Sequence, residues 1–227
     1  MTGGAVTSGH ARTRCTAAIL IGSVRGMQPV DLTDGVLLLQ VPVDADILEI
    51  TLACQDPETA AWTTVPDPYR EEHAEGFVRR TIPTGWAEGT SATWTIRELA
   101  SDHRIAGMIG VDAISAGSGE IGYWVAPWAR GRGVISRAVA LVLDHAFSPE
   151  GIALDRVSWT ALVGNWPSRR VAWRAGFRVE GTIRKHLVAR DVRYDGWLGT
   201  LLRDDPREPA EPWPAEAPPD GRALHPG

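Results

Sequence analysis

The alternation of apolar and polar positions divides the chain into short strands and helices. "GVLLLQVPV" is an apolar run bounded by turn residues and reads as a strand. "ADILEITLACQ" follows with apolar residues at helical spacing, and Asp44 or Asp46 is available as its cap. The block "DPETAAWTTVPDPYREEHAEGFVRRTI" is a Pro-rich loop that leads into a helix from about Arg70. "SATWTIREL" and "RIAGMIGVDAI" read as consecutive antiparallel strands around a polar turn at 101–103. Further on, "GEIGYWVAP" is a strand that Pro127 ends, and residues 133–147 have the period of a helix. The strand "RVSWTALV", a short helix over 166–175 and late strands in "FRVEGTIRKHLV" and "DGWLGTLLR" complete the pattern. It predicts an α+β fold with a mixed sheet.

Both ends depart from this pattern. Residues 1–26 are rich in small residues without a period and read as a flexible extension ahead of Met27, and the domain is expected over 27–204. Residues 205–227 belong to a stretch that holds seven of the sixteen prolines with acidic residues between them, so an extended, disordered tail is expected. At 227 residues, and with no internal repeat, the chain is expected to form a single domain.

A formal charge of -5 gives no reason to expect nucleic acid or an anionic membrane as partner, so a small molecule or a peptide fits better. Cys15 and Cys54 sit in neither a Cys-x-x-Cys pair nor a histidine cluster, which predicts neither a disulfide nor a metal site. The apolar stretch in "RTRCTAAILIGSVRG" is brief and closed by Arg25, and no run is long enough to span a bilayer; a cytoplasmic location is expected. Most of the ten tryptophans should pack in the core.

Candidate chemistry begins at "APWARGRGVISRAVALVLDHAF", where two glycines and three arginines stand directly in front of a run of apolar residues at helical spacing. A strand that stops, a glycine turn and a helix start gather free backbone N–H groups and the positive end of a helix dipole, which is a site for phosphate. A P-loop would need a Gly-Lys-Ser/Thr that is absent here, and "GRGVIS" meets the dinucleotide fingerprint only up to its last position. Solvated arginines at a plain Gly-rich helix start would give the same local pattern.

Taken together, "GEIGYWVAP", "ARGRGVISRAV" and "GNWPSRRVAWRAGFRVEG" resemble the GNAT acetyltransferase superfamily, in particular its RimJ/RimL-like N-acetyltransferase branch. The resemblance covers roughly residues 32–203 and implies a mostly antiparallel twisted sheet flanked by helices. It implies acetyl-CoA as the bound anion. Arg130, Gly131, Arg132, Gly133, Val134, Ile135 and Ser136 would form the pyrophosphate loop, with Trp124 and Val125 at the strand end pairing with the pantetheine arm. Ile135 stands where the family has a third small residue. Asn165 would meet the pantetheine, and Ser168 is placed to donate a proton to the CoA sulfur; the tyrosine that many members carry further along this helix is Ala172 here.

An amine acceptor must lose a proton. An α-amino group of pKa near 8 is roughly a tenth neutral at pH 7, whereas a lysine near 10.4 is neutral in about one molecule in two thousand, so an N-terminal acceptor needs only a weak base. Glu120 on the thioester strand is the candidate base, acting through water, with His186 as a weaker one; the position that sometimes supplies an acid in the late strand is Leu187. Trp62, Tyr69 and Trp86 fall in the segments that wall the acceptor cleft in this family. The acceptor is expected to be a peptide N-terminus or a small amine, and a homodimer is compatible. A member that only binds CoA, as a sensor, is the alternative.

Overall fold

The computed structural model describes residues 26–101, 104–219 and 222. Eight strands form one sheet in the order β1-β2-β3-β4-β5-β6-β8-β7. They are β1 Leu32–Thr33, β2 Leu37–Gln40, β3 Ala92–Glu98, β4 Ile105–Ser115, β5 Ser118–Val125, β6 Arg156–Leu162, β7 Arg178–Ala189 and β8 Val192–Leu202. Every neighbouring pair is antiparallel except β5 with β6, which is parallel because α5 (Val134–Phe147) crosses between them. The mixed α+β sheet read from the sequence is the one observed.

Between β2 and β3 lie α1 (Ile47–Cys54), α2 (Pro57–Trp62), α3 (Glu71–Gly76) and α4 (Ile82–Glu88). Asp46 occupies the N-cap position of α1, but neither its side chain nor that of Asp44 makes a capping hydrogen bond to that helix. Asp46 turns back to accept from the Val43 N–H at 2.9 Å and pairs with Arg97, while Asp44 pairs with Arg79 at 3.0 Å. From α3 the helix runs on through a π-helical turn, Phe77–Thr81, into α4. Pro83 explains the wide turn: its ring would clash with the carbonyl four residues earlier, and the extra residue relieves that clash. Gly89, at φ +68°, closes α4 in the left-handed conformation.

The core fills the space between α5, α1 and the central strands, with Trp94 and Trp159 fully buried. Trp86, expected in the acceptor wall, is instead 2% exposed and packs edge-on against Trp94, with ring centroids 5.2 Å apart. The large ring is worth more to stability inside the core than at a cleft.

The Pro-rich segment departs most from expectation. Residues 205–219 are docked along α6 (Trp166–Arg174) instead of being extended and disordered. The Trp213 ring lies 5.2 Å from Trp173 and 6.0 Å from Trp166, with the Arg170 guanidinium 5.0 Å from its centroid. Trp173 Nε1 donates to the Glu211 carbonyl at 2.7 Å, and the Val179 N–H donates to Glu211 Oε1 at 3.1 Å. Gly176 lets the segment cross, since a Cβ there would lie 2.3 Å from the Pro206 carbonyl oxygen. One aromatic side chain on a matching surface outweighs a composition that otherwise favours disorder. Residues 1–25, Cys15 and most of the 101–103 turn lie outside the described residues.

Candidate active site

The parallel ladder of β5 and β6 runs only from Ser118 opposite Arg156 to Ile121 opposite Trp159. Beyond that point the strands part, leaving Gly122–Val125 and 160–162 unpaired with each other. Pro127 ends β5, and the Ala126 N–H is held by the Ala106 carbonyl at 2.9 Å, so β5 stays on β4 and swings away from β6. A cleft of about 1580 Å³ occupies this V and extends to α1, α2 and α3.

One end of the cleft is the glycine turn. Gly131 (φ +77°) and Gly133 (φ +74°) adopt the left-handed conformation, and a Cβ on either would meet no atom within 4 Å. Gly133 begins α5 without a side-chain cap, so the first N–H groups of a 14-residue helix face the cleft beside Val134 and Ile135. Ile135 is partly buried against the core and also lines the cleft. This open, donor-lined cradle fits a pyrophosphate.

The arginines are engaged elsewhere. Arg130 lines the cleft, but its guanidinium donates to Glu58 at 2.7 Å, to Thr59 Oγ1 at 3.0 Å and to Asp56. Withdrawal from water would raise the Asp56 carboxyl; the Arg130 and Thr59 bonds outweigh that and hold it below its usual range. Arg132 pairs with Glu98 at 2.8 Å and does not line the cleft. Ser136 likewise faces a separate groove of about 270 Å³ between α5 and α6, because it falls on the other side of the helix. The charge at the cradle therefore comes from backbone and helix dipole more than from free arginines.

At the centre of the V, Trp124 and Val125 line the cleft from β5, and Asn165 and Ser168 line it from the start of α6. Asn165 caps α6, accepting from the Ser168 N–H at 3.2 Å. The Ser168 hydroxyl accepts from Trp159 Nε1 at 3.0 Å and donates to the Tyr123 hydroxyl at 3.2 Å, and Tyr123 donates to the Ser168 carbonyl at 3.1 Å. Tyr123, absent from the sequence reading, thus fixes the serine rotor. Withdrawal from water holds its phenol well above the ordinary value despite the Ser168 and Trp159 bonds, so it stays protonated.

The other end of the cleft is its helical wall. Trp62 and Tyr69 line it as expected, and Trp86 does not. Arg190, at the β7–β8 turn, donates to the carbonyls of Ala60, Val65 and Thr63 at 2.8, 3.3 and 3.4 Å, so the late hairpin clasps the α2–α3 loop over the cleft. Leu187 and Ala189 of that hairpin line the cleft, whereas His186 is exposed and is not among the residues that line it. Glu120 lines the cleft and accepts from Thr160 Oγ1 at 2.6 Å. Directly opposite in the β4–β5 ladder stands Asp112, also in the cleft and also missed. Cys54 is buried, its thiol pushed up to about 12 by loss of water, and is a neutral wall residue. Among the described residues no group of three or more His, Cys, Asp or Glu side chains could hold a metal, and no helix is long and apolar enough to cross a membrane.

Residues 36–178 match the family model "Acetyltransferase (GNAT) domain", and the chain belongs to that family. It is 36% identical over 107 residues to a Bacillus subtilis (strain 168) protein named "Putative ribosomal N-acetyltransferase YdaF" and 33% identical over 109 residues to "Probable N-acetyltransferase YjcK" of the same organism. These stretches cover 46% and 47% of this chain and 57% and 59% of those proteins, so the chain spans little more than half the length of the relatives it matches. Among solved structures, a Vibrio fischeri ribosomal-protein-S5-alanine acetyltransferase superposes with TM-score 0.67 at 19% identity, covering 79% of this chain and all of that one. RimJ of Mycobacterium smegmatis superposes with TM-score 0.65 at 23% identity, covering 77% of this chain and 86% of that one. At such identities these structures establish the fold.

Proposed function

We propose that this chain is an N-acetyltransferase that moves the acetyl group of acetyl-CoA to a primary amine by direct attack on the thioester. The observation that carries the reading is the V between β5 and β6, with an uncapped glycine cradle at one end and two carboxylates at the other. The cradle would take the pyrophosphate, the unpaired edge of Gly122–Val125 the pantetheine, and the wall with Trp62 and Tyr69 the acceptor. A peptide N-terminus is the favoured acceptor. The names of YdaF and of the RimJ and S5-alanine structures point the same way, and an α-amine needs the weakest base. A cytoplasmic location goes with this donor and acceptor.

Backbone N–H groups at the end of β5 would polarise the thioester carbonyl. The role of Ser168 is narrower than that of an acid. A thiolate with a pKa near 8.5 does not take a proton outright from hydroxyls whose pKa values lie above about 10, so Ser168 would serve the departing sulfur by turning its hydroxyl from Tyr123 to donate a hydrogen bond.

The test is thiol release from acetyl-CoA with three acceptors: a short peptide with a free N-terminus and no lysine, the same peptide blocked at its N-terminus and carrying lysine, and a small alkylamine. Turnover with the first above the other two supports the reading. CoA binding without turnover on any amine would replace it with a binding module.

A further inference from the structure

Glu120 and Asp112 are adjacent carboxylates with different surroundings. They are directly opposed in the antiparallel β4–β5 ladder, which places their Cβ atoms about 5 Å apart on one face of the sheet. Glu120 has a donor, the Thr160 hydroxyl at 2.6 Å. Among the described residues no donor reaches the Asp112 carboxylate, which opens into the cleft.

The backbone also places Asp112 at the point where the V opens. Gly122 is the first residue of β5 beyond the ladder with β6, and a Cβ there would lie 4.0 Å from Asp112 Oδ2. The glycine therefore leaves room beside that carboxylate, at the apex where a thioester carried between the strands would sit. Immediately after Asp112 the ladder shifts register, and Ala113 adopts φ +50°. A bulge with a non-glycine residue in the left-handed region is a costly way to continue a strand, and such features re-aim side chains beside active sites.

We propose that Asp112 is the base that takes the proton from the acceptor amine, and that Glu120, satisfied by Thr160, is the fixed charge that draws the ammonium into the cleft. The proposal rests on the acetyl-transfer reading above and reverses the role expected for Glu120. The acceptor enters as an ammonium, gives one proton to Asp112, and attacks the thioester carbon with the freed lone pair. The carbonyl π pair moves to oxygen and returns as the C–S bond breaks. The second N–H proton ends on the sulfur, so amide and thiol form and the proton on Asp112 passes to water. Environment supports the division of labour: withdrawal from water, and then the charge of Glu120, raise the Asp112 carboxyl above its ordinary value, although the residue is still exposed where it faces the cleft. The other carboxylates, histidine and cations that line the cleft with it are Glu120 on β5, Glu58, Glu72, His73 and Arg80 of the helical wall, Arg130 of the glycine turn, and Arg222.

The experiment has two arms on the full chain. In the first, carboxyl NMR titration of the CoA-bound protein, which needs no acceptor, should show Asp112 titrating above an ordinary aspartate and moving down in E120Q. In the second, the pH dependence of kcat/KM for the free peptide amine should have an acid limb that shifts down in E120Q. D112N should lower kcat by about 100-fold or more without changing CoA affinity, and D112E should restore part of it. Asp112 titrating at or below an ordinary aspartate, or D112N within twofold of wild type, would overturn the role of Asp112 while leaving acetyl transfer intact. Absence of turnover by the wild type on every amine would remove both.

Discussion

At the anion cradle the cleft is made of backbone from one continuous stretch, β5, the glycine turn and the start of α5, within residues 118–135. At the acceptor end it is made of side chains from segments far apart in the chain: Arg130 on Asp56 and Glu58, Arg190 on the carbonyls of the α2–α3 loop, Asp112 against Glu120. The first region must present N–H groups to a phosphate, a task that glycine and a helix start perform locally. The second joins shape and charge contributed by several elements. The difference teaches that the cofactor end of this fold is a local device and the acceptor end a tertiary one. The two should therefore fail separately.

The sharpest way to separate them is Gly133→Val, which puts a branched side chain at φ +74° inside the cradle. CoA affinity measured by calorimetry should fall by about 100-fold or more, with the fold intact by circular dichroism. Retained affinity would mean that the cradle does not hold the anion. Next in size, Ser168→Ala should lower kcat about 10- to 100-fold and leave the CoA dissociation constant within about twofold, as expected for a donor used mainly by the departing sulfur. A loss of CoA binding instead would return Ser168 to the architecture of α6.

Smaller effects probe the acceptor end and its supports. Arg190→Ala removes the clasp on the α2–α3 loop and should raise the acceptor KM about fivefold with CoA affinity unchanged; a change in CoA affinity would join the two regions after all. Trp213→Ala undocks residues 205–219 from α6 and should cost about 1 to 2 kcal/mol, a drop in melting temperature of about 4 °C. An unchanged melting curve would restore the disordered tail. The smallest effect is in Asp56→Asn. Because Arg130 and Thr59 hold the Asp56 carboxyl below its usual range, its contribution is present above the unfolded-state pKa and lost as pH falls through the folded value. The melting temperatures of wild type and variant should converge from pH 6 toward pH 3, and a constant gap would show that the charge does not matter there.

By itself the sequence determined the mixed sheet, most of its strands and α5 and α6, the glycine turn before α5, the cap at Asn165 and the family, but not β1, α2 or α4. These follow from local rules: period, glycine where φ must be positive, proline where a strand must stop, and a helix start that leaves N–H groups open. Ser168, Trp62 and Tyr69 could be placed beside one cleft from the sequence because their neighbours in the chain carry the motif or the helix that positions them. Asp112 could not be, since an aspartate in an apolar run reads as a strand end until the register sets it opposite Glu120. Tyr123 was not singled out either, because only the tertiary fold brings its hydroxyl to Ser168. Trp86 and Trp213 exchanged expectations, one leaving the cleft for the core and the other leaving disorder for a packed surface, because a tryptophan is placed by the surface available to it, which no local pattern encodes. The charges of Arg130 and Arg132 were likewise assigned by tertiary partners: an ion pair depends on which carboxylate the fold brings near, and Asp56, Glu58 and Glu98 arrive only when the sheet and its helices close.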